Sequence, residues 1–321
     1  MNQLEKIVAP VKSELKTLEK RINSILRENV FNEKFTGTFL NKGKKLRPIF
    51  LFLLARALGY RENDIVDYGI IVELLHNASL VHDDIIDHSL KRRGESTFNA
   101  LYGNNIAVLL GDLLFLFSNK LAVEKRKFEI LDILVEKNEN LLIGEIEEGL
   151  NAGNVSLTED EYMKIIKNKT ASLFELVGEI ACLLTNKKEN DCEAIKGMSS
   201  LIGLSFQIID DILDYTSEVK KVGKPVMNDL REKTLTLPII YAIKKSYDLK
   251  EKVEKFFSDV NNDTLLYEIR DGVVELGGVK YAKEKALEMM KQTRGRIDKI
   301  PPSVYKDSLL ALVDFIVKRS F

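Results

Sequence analysis

The chain has 321 residues, 45% of them apolar, and a formal net charge of −1. That balance excludes any general electrostatic attachment to nucleic acid or to an anionic membrane, so cations that matter must act locally. The length suits one large helical domain or two ordinary ones. The two cysteines, Cys182 and Cys192, form no metal-ligand pattern and fit a reducing cytoplasm.

The first residues, MNQLEKIVAPVKSELK, are charged and amphipathic, and no secretory signal is expected from them. Apolar side chains at Leu4, Ile7, Val8, Val11, Leu15, Leu18, Ile22, Ile25 and Leu26 keep the three-to-four spacing of an amphipathic helix, predicted over 2–29. A Gly-Lys-Lys turn follows, with Pro48 where a first helical turn tolerates proline. The pattern then predicts helices at about 48–59, 63–87, 98–122, 127–150, 159–185, 189–217, 235–247, 262–275, 278–296 and 302–319. The run from Ile106 to Phe117, interrupted by Asp112, is too short to span a bilayer and reads as a buried helix. No long stretch alternates with period two, so no sheet is expected. No linker or repeat divides the chain. The expectation is a single all-α domain over 1–321.

Chemistry concentrates in two stretches. Between Glu73 and Thr97 lie Asp83, Asp84 and Asp87, all three histidines (His76, His82 and His88), and the adjacent Arg92 and Arg93. On a helix the three aspartates fall at about 0°, 100° and 40°, read as one face. Carboxylates that close repel one another, and a hard cation such as Mg²⁺ removes that cost. The same spacing recurs at Asp210, Asp211 and Asp214, set among Phe206, Ile208, Ile209, Ile212 and Leu213. A solvated face would not interleave acids with that much hydrophobe, so the two clusters read as opposing walls of one cleft.

Cations lie around these acids. Lys44, Lys45 and Arg47 stand at a helix entrance, whose N–H groups already favour anions. Two adjacent arginines can serve two anionic groups through their planar forks. Lys169-Thr170 precedes an apolar run, and Gly223-Lys224 follows the second acidic cluster. Carboxylates for a divalent cation with cations beside them describe a diphosphate site.

The motifs GKKLRP, HDDIIDHSLKRRG, VLLGDLLF, GEIEEG, KTASLF, FQIIDDILDYTSEVKKVGKP and DLREKTLTLP occur in this order. In that set and order the chain resembles the trans-type (head-to-tail) polyprenyl diphosphate synthases, medium- and long-chain members especially, from about Gly43 to Pro238. The resemblance implies a bundle of antiparallel helices around a deep central cavity, and a homodimer. It implies Mg²⁺ as cofactor, three ions with substrate bound. Asp83, Asp87 and Asp210 would be the principal ligands, with Asp84, Asp211 and Asp214 ligating less directly or supporting them. The allylic diphosphate would meet Arg92, Lys169 and Lys224, with Thr170 and Gln207 beside it. Isopentenyl diphosphate would meet Lys44, Arg47, His76 and Arg93. His82 and His88 take no role. Ionisation of the allylic diphosphate, attack by the isopentenyl double bond and loss of a proton would follow in a dry cavity. No nucleic acid or transmembrane segment is implied; the apolar product would be handed on at a membrane.

Product length turns on Leu75, Ala78 and Ser79. In this family bulky aromatics just before the first aspartates commonly floor the cavity. Small residues at 78 and 79 leave it open, with Leu75, Phe115 or Leu134 as deeper candidates, and imply a product of about five to eight isoprene units. Some positions depart from the family pattern. Lys233-Thr234 replaces Gly-Lys, Glu148 replaces the commoner glutamine, Lys42 replaces a glycine and Ser96 a proline. Other readings stay open: a geranylgeranyl diphosphate synthase, a non-catalytic subunit of a heteromeric synthase, or an HD-type phosphohydrolase with His76, His82, Asp83 and Asp87 as metal ligands.

Overall fold

The computed structural model describes residues 3–29, 43–92, 94–216 and 227–318. The chain opens with α1 (Gln3–Val8), a 3₁₀ turn (Ala9–Val11) and α2 (Lys12–Asn29), followed by α3 (Leu46–Ala57) and α4 (Ile65–Ile86). A short hairpin, β1 (Lys91–Arg92) and β2 (Glu95–Ser96), leads to α5 (Phe98–Tyr102), α6 (Asn104–Glu124) and α7 (Phe128–Leu150). Then come α8 (Glu159–Ile166), a π turn (Lys167–Ala171), α9 (Ser172–Leu184) and α10 (Glu189–Thr216). The last elements are α11 (Asn228–Arg231), α12 (Leu237–Ile243), α13 (Tyr247–Ser258), α14 (Asp263–Glu275), α15 (Gly278–Ile297) and α16 (Val304–Lys318). The fold is all-α, as its periodicity predicts.

The chain forms two compact units. One comprises Met1–Glu136, Leu176–Lys196 and Ile297–Leu312, the other Lys137–Glu175, Gly197–Arg296 and Val313–Phe321.

At the heart of the first unit, α3 is buried on all sides from Arg47 to Ala57. A helix apolar all round is a core helix. It packs on α4, whose Gly69 admits the Phe52 ring so closely that an added Cβ would lie 2.5 Å from it. Ser118 on α6 donates to the Ile71 carbonyl at 2.9 Å and ties α6 to α4.

In the second unit, a capping box starts α8. The Thr158 hydroxyl accepts from the Glu161 N–H, and the Glu161 carboxylate accepts from the Thr158 N–H. The π turn after α8 is clasped by two glycines. A Cβ at Gly144 would lie 2.3 Å from the Lys169 nitrogen, and one at Gly203 would lie 2.6 Å from the Ala171 Cα. Backbone meets backbone at both places, so only glycine fits.

Four differences from the expected elements have physical causes. The helix predicted over 98–122 breaks at Gly103, whose φ of 83° ends α5 before α6 begins. The segment 159–185 is interrupted by the π turn. Helix α13 was not anticipated, although Ser246 caps it and Leu249, Val253 and Phe256 bury a narrow stripe. The hairpin pairs Lys91 with Ser96 and Arg92 with Glu95, too short to leave an alternating pattern. The reading of the 106–117 run as buried is also corrected. Helix α6 is 21 residues long and, by length and composition alone, apolar enough to cross a membrane. Its Ile106, Leu109, Leu116 and Val123 are exposed.

Candidate functional site

In the first unit the acidic cluster sits on the last turn of α4. Asp83 and Asp87 are partly exposed, and the Asp87 N–H donates to the Asp83 carbonyl at 2.8 Å as the helix ends. Asp84, a hundred degrees round, points inward and is buried. It accepts a hydrogen bond from Arg92 Nε at 2.7 Å. Asn99 donates to its carbonyl oxygen at 3.1 Å. The expectation of three aspartates on one face is therefore corrected: Asp83 and Asp87 share the outer face, and Asp84 anchors the hairpin arginine.

His76 lies seven residues before Asp83, with its Nε2 3.0 Å from Arg47 Nη1. Arg47 is buried at the start of α3, Lys44 is exposed just before it, and Lys45 pairs with Glu19 at 3.4 Å. His82 turns the other way. Its Nε2 lies 3.3 Å from the Val108 carbonyl and 3.5 Å from Asp112, against Gly111, where a Cβ would be 2.1 Å away. It is a packing residue between α4 and α6, and His88 is exposed beyond the helix end. His76 and His82 thus leave Asp83 in different directions, so the phosphohydrolase ligand set does not assemble. Leu75 and Ala78 are fully buried, and Ser79 donates to the His76 carbonyl at 2.9 Å. Leu134 is also fully buried. Arg93 and Lys224 lie outside the described residues.

The second unit repeats the pattern. Asp210 is partly exposed, while Asp211 is buried. Asp211 accepts hydrogen bonds from the Tyr162 hydroxyl and, at 2.8 Å, from Gln207 Nε2. Gln207 accepts in turn from the Thr170 hydroxyl at 2.8 Å. Asp214 accepts the N–H groups of Asn228 and Asp229 at 3.0 and 3.2 Å and so caps α11. Lys169, on the π turn, reaches back to α7 and pairs with Glu148 and, at 3.0 Å, with Glu145. Single π turns inside α-helices recur at functional sites.

The electrostatics follow from burial among like charges. Withdrawal from water pushes Asp211 up to about 7, with the nearby Asp210 and Glu148 adding to the shift. Burial, then Asp214 and Asp211, holds Asp229 well above the usual carboxylate range. Burial and Asp211 raise the Tyr162 hydroxyl in the same way. The sequence marks Glu148 only as a departure from the commoner glutamine; its clamp on Lys169 with Glu145, and the places of Tyr162 and Asp229, are not legible there beyond their position inside or beside the quoted motifs.

These groups fit a divalent cation by chemistry: they offer hard carboxylate oxygens, and a cation beside Asp211 and Asp229 would oppose the burial that raises them. Among the described residues, no three His, Cys, Asp or Glu side chains already converge to hold a metal ion. Oxygens of a bound substrate would have to complete the shell.

An all-α fold with an aspartate cluster and nearby cations in each unit is that of an isoprenoid-synthase type of enzyme. The sequence matches the Polyprenyl synthetase family over residues 28–269, and the chain belongs to that family and is a prenyltransferase. It is 31% identical over 284 residues to the octaprenyl diphosphate synthase of Haemophilus influenzae, covering 87% of this chain and 85% of that one. A decaprenyl diphosphate synthase from Rhodobacter capsulatus superposes with a TM-score of 0.89 at 27% identity, over 99% of each chain. A polyprenyl synthase from Caulobacter crescentus, complexed with calcium and isoprenyl diphosphate, gives a TM-score of 0.91 at 25% identity, over 99% of this chain and 98% of that one.

Proposed function

We propose that this chain condenses isopentenyl diphosphate with an allylic diphosphate and builds a trans-polyprenyl diphosphate longer than farnesyl. One observation carries the reading. In each unit, partly exposed aspartates (Asp83 and Asp87; Asp210) stand beside a buried one held by a protein donor (Asp84; Asp211), and Asp214, also partly exposed, caps α11. The carboxylates of Asp83, Asp87 and Asp210 would hold Mg²⁺, about three ions with diphosphate bound. When bound, the metal supplies positive charge to the leaving diphosphate.

The protein's own groups do the rest. Lys169 and Arg92 would neutralise the allylic diphosphate, with Lys224 beside them. Thr170 and Gln207, bonded to each other, would orient it. Arg47 and His76, bonded as a pair, would hold isopentenyl diphosphate with Lys44 and Arg93. No strong protein base is needed, because the departing diphosphate can take the proton. Apolar walls exclude water, which would trap the allylic cation as an alcohol.

A product of about five to eight units is proposed from the small side chains of Ala78 and Ser79. A homodimer is proposed from the outward apolar residues of α6, where Leu109, Leu116 and Val123 repeat every seven residues, and of α7, where Phe128, Val135 and Leu142 do the same. Free Cys182 and Cys192 suit a reducing cytoplasm, with the product handed on at a membrane.

Incubating the purified chain with farnesyl and isopentenyl diphosphates plus Mg²⁺, followed by mass spectrometry, tests the reading. Lengthened prenyl diphosphates support it. Released phosphate alone, or no turnover, overturns it.

A further inference from the structure

We propose that Glu148 is a positioning residue that makes diphosphate binding at Lys169 conditional on a divalent cation. The inference rests on reading Lys169 as a diphosphate ligand, and it concerns what this chain does with that lysine.

The Lys169 ammonium lies between two carboxylates. Glu145 brings both oxygens within 3.0–3.1 Å, and Glu148 Oε2 makes a closer contact. One cation among two anions has a net charge of −1. An approaching diphosphate therefore meets a negative triple rather than a cation. With glutamine at 148, the triple would be neutral.

The arrangement is held in place. Glu145 and Glu148 are three residues apart on one face of α7, and that face is pressed onto the π turn where Gly144 meets the Lys169 backbone. All three side chains are partly buried, so water screens them only in part. The turn that carries Lys169 is also joined to the aspartates: the next residue, Thr170, donates to Gln207 at 2.8 Å, and Gln207 donates to the buried Asp211 at 2.8 Å. The clamped lysine and the second aspartate cluster are therefore one connected site. Positive charge brought to those aspartates offsets Glu148 and frees Lys169 to pair with an anion.

The test is calorimetric binding of inorganic pyrophosphate, with EDTA and with saturating Mg²⁺. Glu148→Gln keeps the shape and removes the charge; Glu148→Ala removes both. In EDTA both variants should bind pyrophosphate about three- to tenfold more tightly than the native chain. With saturating Mg²⁺ the difference should close. Glu148→Gln within about twofold of native in EDTA would overturn the inference. So would Glu148→Ala binding more weakly while Glu148→Gln is unchanged, the pattern of a residue that only holds the lysine in place. If the native chain fails to bind pyrophosphate even with Mg²⁺, the reading of Lys169 falls, and this inference with it.

Discussion

Arg92 and Asp84, eight residues apart, are joined by a 2.7 Å hydrogen bond from the arginine Nε to a buried carboxylate. The hairpin arginine is thereby anchored to the helix that carries Asp83 and Asp87. Two neighbouring aspartates consequently have different duties. Asp84→Ala should lower stability by about 1–3 kcal/mol, because Arg92 loses a charge-assisted partner. Asp83→Ala should leave the melting temperature nearly unchanged and reduce turnover by about a thousandfold or more. Thermal denaturation and steady-state assays at saturating Mg²⁺ separate the two; near-normal turnover of Asp83→Ala would sink the metal assignment.

A pH dependence follows from Asp211, raised to about 7 by burial. The folded state binds this proton more tightly than the unfolded chain does. Stability of the metal-free protein should therefore fall as pH rises from the ordinary carboxylate range to about 7, then level off. Asp229 shifts in the same direction. The lowered groups Asp67, Glu159 and Glu161 act in the opposite sense, but only at more acid pH. In EDTA the melting temperature should drop between pH 5 and pH 8. Mg²⁺ should restore it at pH 8 and do little at pH 5, and Asp211→Asn should flatten the profile.

Gly144 and Gly149 lie on the same helix but meet different surroundings. A methyl group at 144 collides with the Lys169 backbone, whereas nothing lies within 4 Å at 149. Gly144→Ala should cost about 1–3 kcal/mol and most of the activity by displacing the π turn. Gly149→Ala should be neutral or stabilise by up to about 1 kcal/mol. Equal effects in denaturant titrations would show that the π turn is not held by that contact.

Ala78 is fully buried five residues before Asp83. Ala78→Tyr adds a ring and should shorten the product by at least about one isoprene unit while leaving the first condensation intact. Mass spectrometry of the product ladder reads this directly; an unchanged distribution would remove Ala78 from the determinants of length.

Leu116→Glu places a charge in the exposed stripe of α6. If that stripe joins two copies, the solution mass should halve without loss of helicity, because the residue is 62% exposed in the single chain. Light scattering coupled to gel filtration measures it, and an unchanged mass would locate the contact elsewhere.

The sequence by itself determined the all-helical class, the two acidic motifs and the family. Helical periodicity and short motifs are local properties, written in consecutive residues. Even the separation of Asp83 from Asp84 was there to be read, since a hundred degrees takes the second residue off the face of the first. Other features were decided only by tertiary structure. Nothing near His82 says that it will pack on Gly111, and nothing near Asp211 names Tyr162, 49 residues away, as its donor. The apolar stripe of α6 looks the same in sequence whether another element covers it or not. Lys169 reads as an available cation until α7 brings Glu145 and Glu148 against it. Periodicity sets the direction in which a side chain points; which group it meets depends on how distant segments pack.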